Sequence, residues 1–230
     1  MTLKLEEVSQ YLGQVIHDVY GRRIGTVVAI YSEVDGTVTA IEISKNDEMY
    51  ETIDASRLEC CSEGLRVRPE WLAKAKLVER KLDILRKRVK ALEDLYSRGQ
   101  IPEHAYKELK EKLSKELEKA KSEAKELKEV LRKRSYELEN FILRIEKAMT
   151  HLMVSYTAGE LPQQGFEASM NYMRFAKQNA QEEKKDIEKH METINKLLEE
   201  VNSVLEKGEE ESEITASLPG PMVVKVMEGL

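Results

Sequence analysis

The closing residues of this sequence, SLPGPMVVKVMEGL at 217–230, combine helix-breaking and strand-forming types. Residues 218–221 cannot continue a helix, because proline has no amide donor and glycine loses the most conformational freedom on ordering. The apolar residues of 222–227 then favour a strand, which could bind a partner sheet through main-chain hydrogen bonds. Two interpretations stay open. The end folds back onto the amino-terminal domain, or it completes a sheet of another protein with micromolar affinity, about 8 kcal/mol.

A second stretch suited to recognition is basic. Between Arg66 and Lys90 the sequence holds ten Lys and Arg against three Asp and Glu. A helix of this composition could follow a phosphate backbone without reading bases, with a salt dependence of about −0.9 per phosphate neutralised. The alternative is a solvated face that pairs with acidic helices or with the acidic amino-terminal domain. The candidate nucleic-acid-binding residues are Lys74, Lys76, Arg80, Lys81, Arg86, Lys87, Arg88 and Lys90.

The residue types that support catalysis are present but are not arranged to act together. The four histidines show no metal-ligand spacing, and the adjacent Cys60 and Cys61 suit neither a zinc site nor a disulfide framework. The sequence holds no phosphate loop ending in Gly-Lys-Ser or Gly-Lys-Thr, no His-Glu-x-x-His and no nucleophile elbow. We therefore expect a protein that is not an enzyme and that needs no cofactor and no metal. The histidines are His17, His104, His151 and His190.

The composition favours an elongated molecule. Of 230 residues, 35% are charged and only 6% are aromatic, so one globular core does not account for the whole chain. The net charge of −6 does not suggest a general nucleic-acid binder. The sequence shows neither a signal peptide nor a run of apolar residues long enough to span a membrane, so we expect a cytoplasmic protein.

Residues 1–68 have the pattern of short strands separated by turns. The runs 24–32 and 37–44 flank Asp35-Gly36, which tolerates the positive φ of a tight hairpin turn. A small closed or nearly closed β-barrel fits best, because closure removes exposed strand edges. The segment GQVIHDVYGRRIGTVVAI, followed by a hairpin and TIDASRL, is similar to the PRC-barrel family. This region is acidic, which makes it a poor candidate for phosphate contact.

After Pro69 the apolar residues recur at alternating spacings of four and three, which predicts helices with one apolar seam each. Arg134 interrupts the second seam, and Lys177 and Lys184 lie on the third, where polar residues can fix register or partner choice. The first seam is Trp71, Ala75, Val78, Leu82, Leu85, Val89, Leu92 and Tyr96. The second is Leu113, Leu117, Ala120, Ala124, Leu127, Leu131 and Leu138. The third is Phe166, Met170, Met173, Ala180, Ile187, Met191, Ile194, Leu198, Val201 and Leu205.

Two turns of one design interrupt this region. YSRGQIPEHAY at 96–106 returns sixty positions later as YTAGELPQQGF at 156–166. We call these segments the first and second elbow, and their centres lie near 98–102 and 158–162. Glycine suits a helix end and proline the first turn of the next helix. Three helices are therefore expected, at about 69–97, 102–157 and 162–207, with the direction of helix pairing and the closure of the elbows into hairpins left open.

With barrel, jointed coiled coil and apolar end in that order, the whole chain resembles the CdvA family of archaeal cell-division proteins. The resemblance implies a carboxy-terminal peptide that adds a strand to the broken winged-helix domain of CdvB, an ESCRT-III-like partner. It also implies assembly into filaments, association with DNA and a place at the mid-cell division site, on the inner face of the membrane. The implied partner-binding residues are Leu218, Pro219, Pro221, Met222, Val223, Val224, Val226 and Met227.

The expected fold class is α+β. It comprises a PRC-like β-barrel at 1–68, a three-segment coiled coil at 69–208, and a flexible tether with the ESCRT-III-binding peptide at 209–230. The leading functional hypothesis is a scaffold that dimerises or polymerises, because one short first helix cannot cover both long seams, and that recruits CdvB through its tail. Membrane association would be indirect or through the filament. The alternative is a DNA-binding, chromosome-organising coiled-coil protein that uses the basic helix 66–90.

Overall fold

The computed structural model describes residues 3–45, 49–61 and 64–216. Within these ranges a short helix α1 (Leu5–Val8) precedes six strands and three long helices. The strands are β1 (Val15–Asp18), β2 (Arg23–Ser32), β3 (Val38–Lys45), β4 (Met49–Asp54), β5 (Leu58–Cys61) and β6 (Gly64–Val67), and the helices are α2 (Glu70–Ser97), α3 (Glu103–Thr157) and α4 (Gln163–Ala216).

The described strands form one sheet in the order β4-β3-β2-β1-β6-β5. Neighbouring strands are antiparallel except β1 and β6, which are parallel. Ile53 on one outer strand and Leu58 on the other belong to the same buried cluster, so the sheet curls around a single core. The predicted β domain and its β2–β3 hairpin are confirmed, and Gly36 has the expected positive φ of 77°.

The chain divides into two compact units. The first unit contains the β domain, the start of α2 and residues 123–193. The second unit contains residues 79–122, which we call the first hairpin, together with the described part of α4 from Ile194 onward. We call residues 123–193 the second hairpin, because they follow the first hairpin in the sequence. The three-helix prediction is confirmed.

One predicted boundary is wrong. Helix α4 continues to Ala216, past the predicted end at Lys207 and into the stretch expected to be a tether. Glutamate has a good helix propensity, and the sequence contains no proline between Lys207 and Pro219. Gly208 costs only about 1 kcal/mol in a helix, so it does not end the helix.

Both elbows close into antiparallel hairpins. Tyr96 stacks on Tyr106 at 4.0 Å between ring centroids, and Tyr156 stacks on Phe166 at 4.1 Å. Gly99 and Gly159 have φ angles of 66° and 78°, in the left-handed conformation that ends many helices. Each elbow therefore turns the chain back so that a helix meets its successor.

The apolar seams are buried within a single chain. All but Tyr96 of the first seam and every residue of the second are buried, as are Met170, Ala180, Ile187, Ile194 and Val201 of the third. The expectation that the seams need a second molecule is therefore wrong, because the hairpins bury them internally. Self-assembly itself stays a prediction that needs a different surface.

Candidate functional site

The predicted partner-binding residues of the tail, from Leu218 to Met227, lie outside the described residues. Their role in binding an ESCRT-III-like protein stays a prediction.

The structure shows several of the predicted nucleic-acid-binding residues in ion pairs with the same chain. In the first unit, Lys74 pairs with Glu70 at 2.6 Å. In the other unit, Arg86 bridges Asp83 and Glu200, both at 2.6 Å. The bridge to Glu200 joins α2 to α4.

The two residues that follow Arg86 also meet carboxylates within the second unit. Lys87 pairs with Asp83 at 2.7 Å, and Arg88 lies 3.9 Å from Glu116 of α3. Arg88 thus meets another helix, whereas Lys87 pairs within α2. Nucleic-acid binding by this set stays a prediction.

Most of this basic set remains accessible nevertheless. The side chains of Lys87 and Arg88 are 69% and 62% exposed despite their ion pairs. The remaining exposed members are Lys74, Lys76, Arg80, Lys81 and Lys90.

The most developed polar site in the described residues surrounds Glu183, in the first unit. Glu183 is 0% exposed. Both of its carboxylate oxygens accept hydrogen bonds. Oε1 accepts from Trp71 Nε1 at 3.0 Å and from Arg134 Nε at 2.8 Å. Oε2 accepts from Arg134 Nη2 at 3.0 Å and from Arg22 Nη1 at 2.6 Å. One carboxylate thus joins the β domain, α2, α3 and α4.

Arg22 is held by a second buried carboxylate, that of Asp18. Asp18 Oδ2 accepts from Arg22 Nε at 2.7 Å, and Oδ1 accepts from the backbone amides of Tyr20 and Arg22. These contacts fix the turn between β1 and β2, where Gly21 has a φ of 83°. The Arg22 guanidinium therefore reaches Glu183 from a rigid turn. We call Asp18, Arg22, Trp71, Arg134 and Glu183 the Glu183 cluster.

The electrostatics of this cluster favour the ionised carboxylate. Burial by itself raises the pKa of Glu183, but the Arg134 hydrogen bond and the charges of Arg22 and Arg134 outweigh it. The net result is a pKa below the ordinary value for glutamate. The hydrogen bond to Glu183 likewise raises the pKa of Arg134. The cluster thus remains an ion network around neutral pH.

Tyr20 adds a further contact between the β domain and α4. Its hydroxyl donates to Asp186 Oδ2 at 3.1 Å, and burial together with the nearby Asp186 charge raises the pKa of this phenol. The hydroxyl therefore stays protonated and remains a donor. Because these groups satisfy one another, the cluster works as an anchor between elements.

The lysines that interrupt the third seam pair across the second hairpin. Lys177 lies 2.8 Å from Glu146, and Lys184 lies 2.6 Å from Glu139. These pairs connect α4 to α3 in antiparallel register. The sequence-based expectation of a register role is consistent with this geometry.

No sequence pattern points directly to Glu183 or Asp18. Arg134 was the available signal, because a charged residue that interrupts an apolar seam needs a buried partner. Asp18 and Arg22, four residues apart, offered a weaker one. Neither signal identifies Glu183 as the partner, because Arg134 and Glu183 lie 49 positions apart in the sequence.

The described residues contain neither a candidate metal centre nor a candidate membrane span. Within residues 3–45, 49–61 and 64–216, no group of three or more His, Cys, Asp or Glu could hold a metal ion. No helix in the part of the chain that the structure describes is long and apolar enough to cross a membrane.

A β domain followed by long helices that close into antiparallel hairpins defines a β-domain and coiled-coil protein. The model of the CdvA-like coiled-coil domain family matches residues 70–217. The chain is also 34% identical over 192 residues to Cell division protein A of Sulfolobus acidocaldarius, covering 84% of this chain and 80% of the relative. The protein therefore belongs to the CdvA family, and this relationship supports a role in cell division. No solved structure matches the chain.

Proposed function

We propose that this protein is a non-catalytic cell-division scaffold that self-assembles and recruits an ESCRT-III-like protein, CdvB, to the division site. The observation that carries the proposal is the family match over 70–217 together with the similarity to a named cell-division protein. In this role the helices build the assembly at mid-cell, on the inner face of the membrane. The tail supplies the contact with the partner.

The tail sequence supports strand addition as the mode of recruitment. Residues 222–227 alternate on a strand so that Met222, Val224 and Val226 share one face, while Lys225 lies on the other. An added strand gains affinity from its main chain and selectivity from one row of side chains. The partner domain would be the broken winged helix of CdvB.

The test is the binding of purified CdvB to the full chain and its variants, measured by calorimetry. We expect Val224→Asp and deletion of residues 218–230 to abolish binding while self-assembly persists. Lys225→Asp is the matched control, because it introduces the same residue on the opposite strand face. Equal binding by Val224→Asp and the unmodified chain would reject strand addition, and loss of assembly on truncation would make the tail structural.

Binding to DNA by the basic stretch 66–90 is the second candidate, supported by the exposure of Lys76, Arg80 and Lys90. Its helical part begins at Glu70, because Arg66 lies on β6. Neutralising Arg80, Lys81, Arg86, Lys87 and Arg88 together should then abolish retention on DNA in a gel-shift assay. Because Arg86 also bridges α2 and α4, a variant that keeps Arg86 separates DNA contact from folding. Unchanged retention by that variant would reject this role.

A further inference from the structure

The two hairpins are structural repeats with opposite surface chemistry at five exposed positions. The sixty-residue offset that relates the two elbows also pairs residues along the adjoining helices. In the first hairpin the five positions hold charged side chains, and in the second hairpin all five are apolar. The first set is Lys81, Arg88, Glu108, Lys112 and Lys115, and the second set is Phe141, Ala148, Ala168, Tyr172 and Phe175.

The apolar set is exposed although it contains three aromatic side chains. Tyr172 is 74% exposed, Phe175 53% and Phe141 39%. The first hairpin shows that a hairpin of this design accommodates charges at these positions, so folding alone does not require apolar residues there. Contiguous exposed apolar surface usually marks an interaction site.

These residues share one face of the second hairpin. Phe141 and Ala148 follow Arg134 at intervals of seven, so they lie on the side of α3 that carries the Glu183 cluster. On α4, the four-and-three spacing of Ala168, Tyr172 and Phe175 places them on one stripe. Both stripes border the side of the second hairpin that carries the Glu183 cluster, and we call these five residues together the apolar flank.

The apolar flank continues the face on which the β domain is docked. Phe175 marks the boundary, since its Cζ atom lies 3.4 Å from where a Cβ on Gly21 would stand. Beyond that point Tyr172 and Ala168 extend toward the second elbow. This surface is continuous with an intramolecular interface but is itself exposed.

We propose that the apolar flank pairs with the same flank of a second copy of this chain. The inference rests on the proposed self-assembly and assigns a surface to it. The five flank residues carry no charge, and the exposed Arg144 lies between Phe141 and Ala148 on the same stripe. One arginine is far short of the basic cluster that attracts phosphates or an anionic lipid surface. The uncharged flank side chains meet their own copies around a twofold axis without repulsion.

The available area points to a contact of modest strength. A tyrosine or phenylalanine buries about 150–250 Å² when fully covered, and these three are only partly exposed. The surface buried on both copies together is then on the order of 600 Å², below the roughly 1,200 Å² of a stable complex. Pairing should therefore depend on concentration, as suits a contact repeated along an assembly.

The test compares two variants of the full chain by sedimentation velocity over a micromolar concentration series. The flank variant combines Phe141→Lys, Ala148→Arg and Tyr172→Lys. Each substitution introduces the residue found at the corresponding position of the first hairpin, and Phe175, which contacts the β domain, is left unchanged. The control variant combines Leu143→Asp and Val154→Asp, which also copies the first hairpin. Leu143 lies about 180° around α3 from Arg134, so the control alters a different flank.

We expect the flank variant to raise the dissociation constant of self-association at least roughly thirtyfold, because aromatic residues dominate interface energies. The control variant should associate like the unmodified chain. If the unmodified chain stays monomeric, the proposed self-assembly itself fails. If the unmodified chain and the flank variant associate alike, or if the control variant loses association equally, the assignment of this surface is wrong while self-assembly stands.

A spin label keeps the proposal falsifiable should the flank variant fail to fold. The label is attached to Tyr172→Cys in a Cys60→Ser, Cys61→Ser background, with Val154→Cys as control. Both positions are more than half exposed, so neither substitution disturbs the core. Concentration-dependent immobilisation at position 172 alone supports the proposal. Equal mobility at both positions in the associated state overturns it.

Discussion

The two elbows share a backbone design and differ in side-chain chemistry. In the first, Tyr106 donates to Glu93 at 3.0 Å, and Lys110 donates to the Tyr106 hydroxyl at 3.2 Å. Sixty positions later the corresponding residues are Met153, Phe166 and Met170. A stacked aromatic pair and a left-handed glycine occur in both, so those features define the turn, and the polar trio is dispensable for its geometry.

The repeat-related helices also differ in how they are anchored. Glu183 is fully buried in an ion network, whereas the residue sixty positions earlier, Glu123, is exposed. Likewise Arg134 reaches a buried carboxylate, and its counterpart Lys74 pairs on the surface with Glu70. Identical or similar residues therefore take different roles according to what packs against them.

The largest expected effect comes from breaking this contrast at Glu183. Glu183→Ala leaves Arg134 without its buried partner and Arg22 with Asp18 alone, and should cost about 3–5 kcal/mol. Trp71 is the single tryptophan and donates to Glu183, so its fluorescence reports the loss during chemical denaturation. Glu123→Ala is the matched control and should stay within about 0.5 kcal/mol. Similar losses in both variants would contradict the anchoring role.

Replacing the elbow glycine by alanine should destabilise the protein equally in either hairpin. Gly99→Ala and Gly159→Ala each force a side chain into left-handed backbone and should each lower the free energy of unfolding by about 1–2 kcal/mol. Neither added Cβ would meet another atom within 4 Å, so strain alone is tested. Thermal denaturation measures both variants, and an effect confined to one elbow would show that the turns are not equivalent.

Exchanging the aromatic residues between the elbows should have a smaller and asymmetric effect. Tyr106→Phe removes a partly buried hydrogen bond to Glu93 and should cost about 0.5–1.5 kcal/mol. Phe166→Tyr places its hydroxyl opposite Met153, which offers no strong acceptor, so no stabilisation should result. Circular dichroism melts of both variants provide the comparison. A gain in stability from Phe166→Tyr would show that the second elbow contains an unrecognised acceptor.

The smallest expected effect is on the pH dependence of stability. The pKa of Glu183 is lowered in the folded protein, so its ionised form stabilises the fold above the ordinary glutamate value of about 4.5. This contribution is lost as the pH falls through the lower folded value. Because burial offsets much of the gain, the change should be modest. Denaturation of Glu183→Gln should show a weaker acid dependence than denaturation of Glu123→Gln, and identical profiles would contradict the assignment.

Much of the fold could be predicted from the sequence because its signals are local. The alternating strands, the Asp35-Gly36 turn and the four-and-three apolar spacing each follow from neighbouring residues. Helix α4 is longer than the pattern predicts, because the acidic stretch after Lys207 lacks an apolar period but has a high helix propensity. The predicted candidate sites depend on contacts with other molecules, which a single chain does not display.

The sequence by itself determined the order of β domain and helices, the position of both elbows and the residues of each apolar seam. These features depend on backbone conformation and periodicity, which each segment sets for itself. Only the tertiary structure decided that the elbows close into hairpins and that Glu183, but not Glu123, is buried among arginines. The physical reason is that burial and ion pairing arise from residues distant in sequence, so identical glutamates acquire different environments.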